Sequence, residues 1–520
     1  MSDVKTLHKA AFALESDKPA AAWGSGANTA IGQKMFPFLE FSPQKTINHE
    51  QNNSIYSDGF KETPRVVTNY LEASFSHYQW FKGPLKDIAF WSFGYELPPV
   101  PVVVITADDL TTEPQQGAVY KNGAEASFVF LRKEEYRDET LYVFVSEEKA
   151  LPGSTLTKVD GTGDAEIAVS TSSSVMYEHL FELDKDSRHA CSYKELQKPL
   201  DVIYITADLT DVPEEGDVYQ DEDFSKFVYA GTDISGSKYR FIWETGSPII
   251  EGDLSRVSGE GDETIIPLTK DSSKYEVGLD FQDLGSTIDK CRRATLHFGT
   301  EVTDQRLRNC VCKRFTLHSE ASKFWEVTNE FLGYDCEKDT YFSSGDSFPD
   351  ATLDASNIIA HHQTQVLLGP KGSEVSVGIT SLDVGVEIPL EVGQDTLSSV
   401  YLKEPIFNGK YSISFNAILS RYSSDVFQEY RDNWTNLIGV VRAKEGFFSA
   451  GYYFNALKEA EASLDDSEVT KQNLNLIPYY DSVNNLDAYF PPNYFPQQMK
   501  SPVLYMVRDS DPDYTMIERY

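Results

Sequence analysis

The segment LTKVDGTGDAEI (156–167) returns as LSRVSGEGDETI (254–265), an offset of 98 residues from Leu156 to Leu254. The same offset carries Tyr177 and Glu178 onto Tyr275 and Glu276. One residue more carries Pro114, Gly117, Val119 and Tyr120 onto Pro213, Gly216, Val218 and Tyr219. The leading runs match too, VVVITADDLTTEP against DVIYITADLTDVP. One unit of roughly 95 residues is therefore carried twice, over about 100–195 and 200–285. Each copy alternates short β-rich runs, such as TLYVFVSE and its partner YRFIWETG, with Gly, Pro, Asp and Ser turns. That spacing predicts two small β-sandwiches of immunoglobulin-like architecture. The Cys and Trp signature of antibody domains is missing, so the expectation concerns architecture alone.

The repeated segment has the look of a cation site. Asp160, Thr162 and Asp164 alternate with Gly161 and Gly163. A helix-loop-helix calcium loop needs Gly at its sixth position and Glu at its twelfth. Counted from Asp160, those positions hold Ala165 and Thr171, and the second copy replaces the first ligand with Ser258. Both copies keep the glycines, the second acid (Asp164, Asp262) and an apolar Ile167 or Ile265. A tight turn between strands accounts for all of these.

Outside the repeats the pattern changes. RVVTNYLEASFSHY (65–78) puts Val67, Leu71, Ala73 and Phe75 on one face and Thr68, Glu72, Ser74 and Ser76 on the other, as a strand with one buried side does. GPLKDIAFWSFG (83–94) follows as a helix. The plan recurs in KYSISFNAILSRY (410–422), with Tyr411, Ile413, Phe415, Ala417 and Leu419 inward, followed by the helix-like SSDVFQEYRDNWTNLIG capped by Ser424 or Asp425. A further strand precedes each, FPFLEF (36–41) and VGVEIPLEV (384–392), across a long polar connection. Residues 294–335 read as a meander of strands. The repeats then form an insertion into a β-unit that resumes near residue 286. The chain divides as 1–97 and 286–357 (first unit), 98–198 and 199–285 (inserted repeats), 358–464 (second unit) and 465–520, an aromatic and Pro-rich arm. That arm either packs as an extended segment on its own or a neighbouring subunit, or completes the β-structure.

Composition narrows the function. The 520 residues carry 81 acids against 46 bases, a net charge of −35. Such a surface repels nucleic-acid phosphates and anionic membranes. No apolar run approaches the ~20 residues of a membrane helix, and the first residues, with Glu15 and Asp17, carry no secretory signal. Five cysteines fit a reducing compartment without a disulfide framework. Cys310 and Cys312 share one face of a strand and read as buried thiols. His361 and His362, adjacent on a strand, face opposite ways and do not share a metal. The six tryptophans read as core or interface residues. No P-loop, G-x-S-x-G or H-E-x-x-H occurs, so no cofactor, metal or catalytic residue is expected.

The N-terminal NTAIG (28–32), the RVVTNYLEASF strand, the GPL helix segment and LRNCVCKRFTL leading to EFLGYD together resemble the tail tube proteins of long-tailed, non-contractile phages and related archaeal viruses. The resemblance covers about 24–97 and 286–460. It implies a mainly β chain with two fused tube units, each a β-sandwich or barrel with a short helix, and inserted decoration domains. It also implies homotrimeric rings of pseudo-sixfold symmetry stacked head to tail, with hexameric rings as the alternative. A tape measure protein and a tail terminator would be partners. The site would be the virion tail, assembled in the host cytoplasm, with DNA passing without specific binding and no membrane involved. Under it, Glu72, Ser74, Asp383, Glu387, Glu391, Ser412, Ser414 and Asn416 would face an acidic lumen that repels DNA. Asn52, Tyr56, Phe60, Thr396, Tyr401 and Phe407, in the loops 48–64 and 393–409, would form ring-to-ring contacts. A tandem β-sandwich adhesin or carbohydrate-binding surface protein is the main alternative, and a polysaccharide hydrolase the next.

Overall fold

The computed structural model describes residues 9–15, 30–36, 38–50, 65–81, 85–107, 110–136, 139–183, 194–232, 238–247, 249–271, 274–282, 293–299, 304–338, 358–391, 405–407, 410–419, 437–465, 471–479, 486–491, 494–495 and 501–512. The fold is mainly β, in large antiparallel sheets. The elements used below are β1 (Glu40–Glu50), β2 (Arg65–Tyr78), α1 (Leu85–Phe93), β3 (Gly94–Ala107), β4 (Ser127–Tyr136), β5 (Met176–Leu183), β6 (Lys194–Thr206), β7 (Lys274–Gln282), β8 (Asp304–Glu320), β9 (Glu326–Gly333), β10 (Ile379–Glu387), β11 (Ser412–Leu419), β12 (Leu437–Glu445), β13 (Phe448–Asp465), β14 (Lys471–Tyr479) and β15 (Val503–Asp509).

The two strand pairs found in the sequence lie in one sheet. Its order is β1-β2-β9-β8-β10-β11-β14-β13, every pair antiparallel. The first four strands form one half and the last four the other, joined at β8–β10. The halves share a plan. In each, a hairpin with a long connection (β1–β2, β10–β11) is followed by a second hairpin (β8–β9, β13–β14) whose later strand pairs with it. In each, the longest strand (β8, β13) runs on into a second layer. The first part of β8 pairs with Ala294–Gly299, and the first part of β13 pairs with β12 and β15.

Alternation explains the burial. Ile413, Phe415, Ala417 and Leu419 are buried while the residues between them are not, and Leu71, Ala73 and Phe75 do the same on β2. The core lies between the two layers, with α1 wedged in. Trp91 of α1 packs edge-on to Phe12 at 5.5 Å and donates its indole N–H to the Cys310 carbonyl at 2.9 Å. In the other half Phe415 meets Phe454 at 5.1 Å. Trp80 and Trp325 are buried.

Several expectations need correction. The strand expected over 36–41 is broken, because one strand ends at Phe36 and the next starts at Glu40. The strand expected over 384–392 stops at Glu387, where Pro389 lacks the N–H a ladder needs; Leu390–Glu391 form a separate small sheet with Ile406–Phe407. His361 and His362 stand on a 3-10 turn, not a strand. Of the helix expected after β11, residues 423–436 lie outside the described residues, and Leu437, Ile438 and Gly439 open the strand β12 instead.

The inserted repeats are not two-sheet sandwiches. In repeat 1 the hydrogen-bonded order runs β3, Glu139–Ser146, β4, Val119–Lys121, Thr155–Asp160, Glu166–Ser172 and back to β3. That is a closed six-stranded barrel, and its interior is filled by Val103, Ile105, Tyr120, Phe128, Phe144, Leu156 and Ile167. Repeat 2 follows the same path. Its last barrel strand is split into Thr264–Ile265 and Thr269–Lys270, because Pro267 falls between them. Alternation in short strands cannot distinguish a barrel from a sandwich, since both bury every second residue.

The turn in each repeat serves the barrel. The Asp164 carboxylate accepts the backbone N–H groups of Thr111 (2.7 Å) and Thr112 (2.9 Å). Asp262 does the same for Thr210 (2.8 Å) and Asp211 (3.1 Å). Gly161 has φ +84°, and a Cβ there would lie 2.7 Å from the Ala118 backbone. The second acid of the suspected cation loop is thus spent on pinning a neighbouring loop, while Asp160 accepts the N–H of Gly161 within its own turn at 2.7 Å.

Candidate assembly surface: the polar face of the shared sheet

The eight-stranded sheet buries one face and leaves the other polar. On the buried side, rungs such as His77–Val327–Leu317–Val384–Phe415–Leu476 cross both halves. On the other side one rung reads Ser42–Ser74–Glu330–Arg314–Glu387–Ser412. The next reads Glu40–Ser76–Thr328–Thr316–Gly385–Ser414, and a third Tyr78–Glu326–His318–Asp383–Asn416–Asn475. These residues are exposed or half-buried apart from Gly385 and Ser76; the Ser76 hydroxyl pairs with that of Thr328 at 2.8 Å.

Of the residues singled out in the sequence, Glu72, Ser74, Asp383, Glu387, Ser412, Ser414 and Asn416 lie on this one face, although Ser74 and Asp383 stand 309 positions apart in the chain. Glu391 does not. It belongs to the small Leu390–Glu391 sheet beyond the Pro389 break. Asn52, Tyr56, Phe60, Thr396 and Tyr401 lie outside the described residues; Phe407 is placed by its backbone, paired with Leu390.

The face is not uniformly acidic. The sequence reading missed Lys313, Arg314 and His318, which β8 contributes. Lys313 holds Glu72 at 2.7 Å, Arg314 approaches Glu330 at 3.8 Å, and His318 Nδ1 lies 2.6 Å from Asp383. The hydrogen bond to Glu72 raises the Lys313 pKa, so the ammonium stays charged. An irregularity between Cys312 and Arg314 shifts the register of β8 against β9, so simple alternation could not assign that stretch. Cys310 and Cys312 both point into the core, where burial pushes the Cys312 thiol up to about 12.

A second constellation, absent from the sequence reading, sits where repeat 1 meets the second half. Arg132 and Glu134 (β4), Glu178 (β5) and Arg508 (β15) are all buried. Arg508 donates to both oxygens of Glu134 at 3.1 and 2.9 Å and to Glu178 at 3.2 Å. Arg132 donates to Glu134 at 3.0 Å, grips both oxygens of Glu178, and also donates to the Tyr489 carbonyl at 2.9 Å. Burial alone would raise the Glu134 carboxyl, but Arg508 and Arg132 hold it well below the usual range. Beside it, buried His179 lies 3.0 Å from Glu96 and 3.6 Å from Asp509. Burial opposes its charge, yet those two carboxylates lift its pKa to about 9. Lys86 of α1 closes the group on Asp511 at 2.6 Å. Two arginines facing two glutamates, with every carboxylate oxygen engaged, form a structural lock.

Among the described residues no group of three or more His, Cys, Asp or Glu side chains is placed to hold a metal ion, and no helix is long and apolar enough to cross a membrane. No protein-family model matches the chain, and no curated protein matches it.

Proposed function

We propose that this chain is a structural subunit that polymerises into a viral tail tube, the polar face of the shared sheet lining the conduit. The observation that carries the reading is the unfinished repetition of the sheet. Within the chain, the later part of β8 ends the first half and pairs with β10, which opens the second. The matching strands at the two outer edges are the later part of β13 and all of β1. Among the described residues, β1 pairs only with β2, and residues 459–465 of β13 pair only with β14. A long unpaired edge is a template for another strand. Joining β13 of one copy to β1 of the next would repeat the β8–β10 junction, and continued repetition would close a ring. A trimer of such two-part chains has six near-equivalent parts, as the resemblance implies. Hydroxyl and amide rungs broken by paired charges suit a wall along which DNA moves without sticking, because the described cations of the face, Lys313 and Arg314, are turned to carboxylates rather than free to hold phosphate.

Negative-stain electron microscopy of the purified protein tests this. Rings, or tubes with a regular axial repeat, are expected. Discrete monomers at every concentration and salt condition would refute it.

A further inference from the structure

We infer that the tip of repeat 2 is a docking site for a protein segment that presents Lys or Arg beside apolar side chains. The inference goes beyond the tube reading and does not depend on it. Its basis is an internal control, since the chain carries the same barrel twice.

In both barrels one turn residue adopts the left-handed backbone, Glu125 at φ +66° and Phe224 at φ +63°. Bulky side chains rarely occupy that region. In repeat 1 the position holds a glutamate that pairs with Lys121 at 3.1 Å. In repeat 2 it holds a phenylalanine that is 79% exposed. The fold accepts Glu here, so folding does not call for the aromatic ring.

The Phe224 loop is held firmly. Asp221, buried, accepts the N–H groups of Asp223 (3.1 Å) and Ser225 (2.8 Å) with one oxygen and that of Glu251 (3.0 Å) with the other. This ties the Phe224 turn to the neighbouring loop, which Lys270 braces through the Ile250 and Gly252 carbonyls at 2.9 Å each. That second loop carries Ile249, 60% exposed. Two apolar side chains thus stand on adjoining, tied loops.

The surroundings fix the partner's chemistry. Glu222, Asp223, Glu244, Glu251 and Asp253 are exposed on the same two loops or the strand ends entering them. The nearby cations are Lys226 and Lys270, the latter turned to carbonyls. A second copy of this chain, at net −35, is a poor electrostatic match. A cationic side chain over the Phe224 ring, with carboxylates around it, gains both ring and ion-pair attraction.

Binding of a synthetic amphipathic Lys/Leu peptide to the full-length protein at physiological ionic strength tests this, with Phe224→Glu as the deciding variant. The substitution keeps a residue that the same turn accepts in repeat 1, and it adds negative charge. Attraction to bulk charge alone therefore predicts equal or tighter binding, whereas an aromatic anchor predicts about 5–10-fold weaker binding. Val257→Ser, at a position where repeat 1 also exposes a valine (Val159), is expected to bind like the parent. Equal or tighter binding by Phe224→Glu overturns the inference. So does a neutral oligosaccharide that binds the parent, is lost in Phe224→Glu and leaves peptide binding unchanged, because the tip would then be a sugar platform.

Discussion

Repeat 1 and repeat 2 share a sequence plan, a barrel and an aspartate-pinned turn, yet they sit in the molecule differently. Each is entered and left along an antiparallel ribbon. For repeat 1 the ribbon is β3–β5, from Gly94↔Leu183 to Met176↔Val102. For repeat 2 it is β6–β7, from Lys194↔Gln282 to Val202↔Lys274. The difference lies in the outer edge. β5 is covered along its length by β15, from Tyr177↔Asp509 to Glu182↔Leu504, and β15 in turn pairs with β13. Repeat 1 is thereby sewn into the second half by the last of the described strands. Among the described residues, β7 pairs only with β6, and repeat 2 keeps its own sheet and its own core. One fold can thus serve as a built-in block or as a module on a two-stranded stalk, according to whether a third strand takes the ribbon's edge.

Excision is expected to separate the two most sharply. Removing 194–282 and closing the gap with a short linker should leave the remaining thermal transition in place, because the ribbon ends adjoin. Removing 98–285 should abolish cooperative unfolding, since β15 would lose β5 and Arg508 would lose Glu134 and Glu178. Calorimetry on both deletions reads the outcome; a folded 98–285 deletion would show repeat 1 to be as dispensable as repeat 2.

Arg508→Leu comes next. It leaves Glu134 and Glu178 buried with half their counter-charge, so about 3–5 kcal/mol of stability should be lost in urea unfolding. Repeat 2 amides should keep their hydrogen-exchange protection. A loss under about 1 kcal/mol would mean that the lock behaves as a surface pair does.

The His179 cluster gives the junction a pH dependence. Its folded pKa of about 9 lies above the ordinary 6.5. Its contribution is therefore complete below about pH 6.5, declines above that and is gone once pH passes about 9. Stability of the parent should fall over that window, and His179→Gln should flatten the slope. An unchanged slope in the variant would place the titration elsewhere.

The smallest effect should be the same in both repeats. Asp164→Ala and Asp262→Ala each strip two backbone N–H groups of their acceptor, and each should cost about 1–3 kcal/mol of local stability. Exchange at Thr111 and Thr112 reports the first, and exchange at Thr210 and Asp211 the second. Unequal losses would show that embedding reaches into the barrel.

Much of this was legible in the sequence. Alternation located β2 and β11 and told their buried faces from their polar ones. The 98-residue offset marked the repeated unit, and α1 followed β2 as its pattern required. The turn could be weighed against a cation loop because its second copy dropped a ligand and kept the glycines. What escaped was pairing between distant strands, the closure of each barrel, the Pro389 and Pro267 breaks in otherwise regular runs, and the Arg132–Glu134–Glu178–Arg508 lock. Arg132 and Glu134 stand in the charged run at the end of β4, Glu178 and Arg508 lie on two other strands, and each reads in the sequence as an ordinary surface charge.

The sequence by itself determined which residues turn inward, because side-chain polarity alternates with the strand period and is local. Only the tertiary structure decided which edges meet: that β8 takes β10, that β15 covers β5, and that among the described residues β7 has β6 alone beside it. Strand edges join through backbone N–H and C=O groups that are alike in nearly every residue. Polarity therefore chooses the face of a strand, and the choice of neighbour waits for the assembled core.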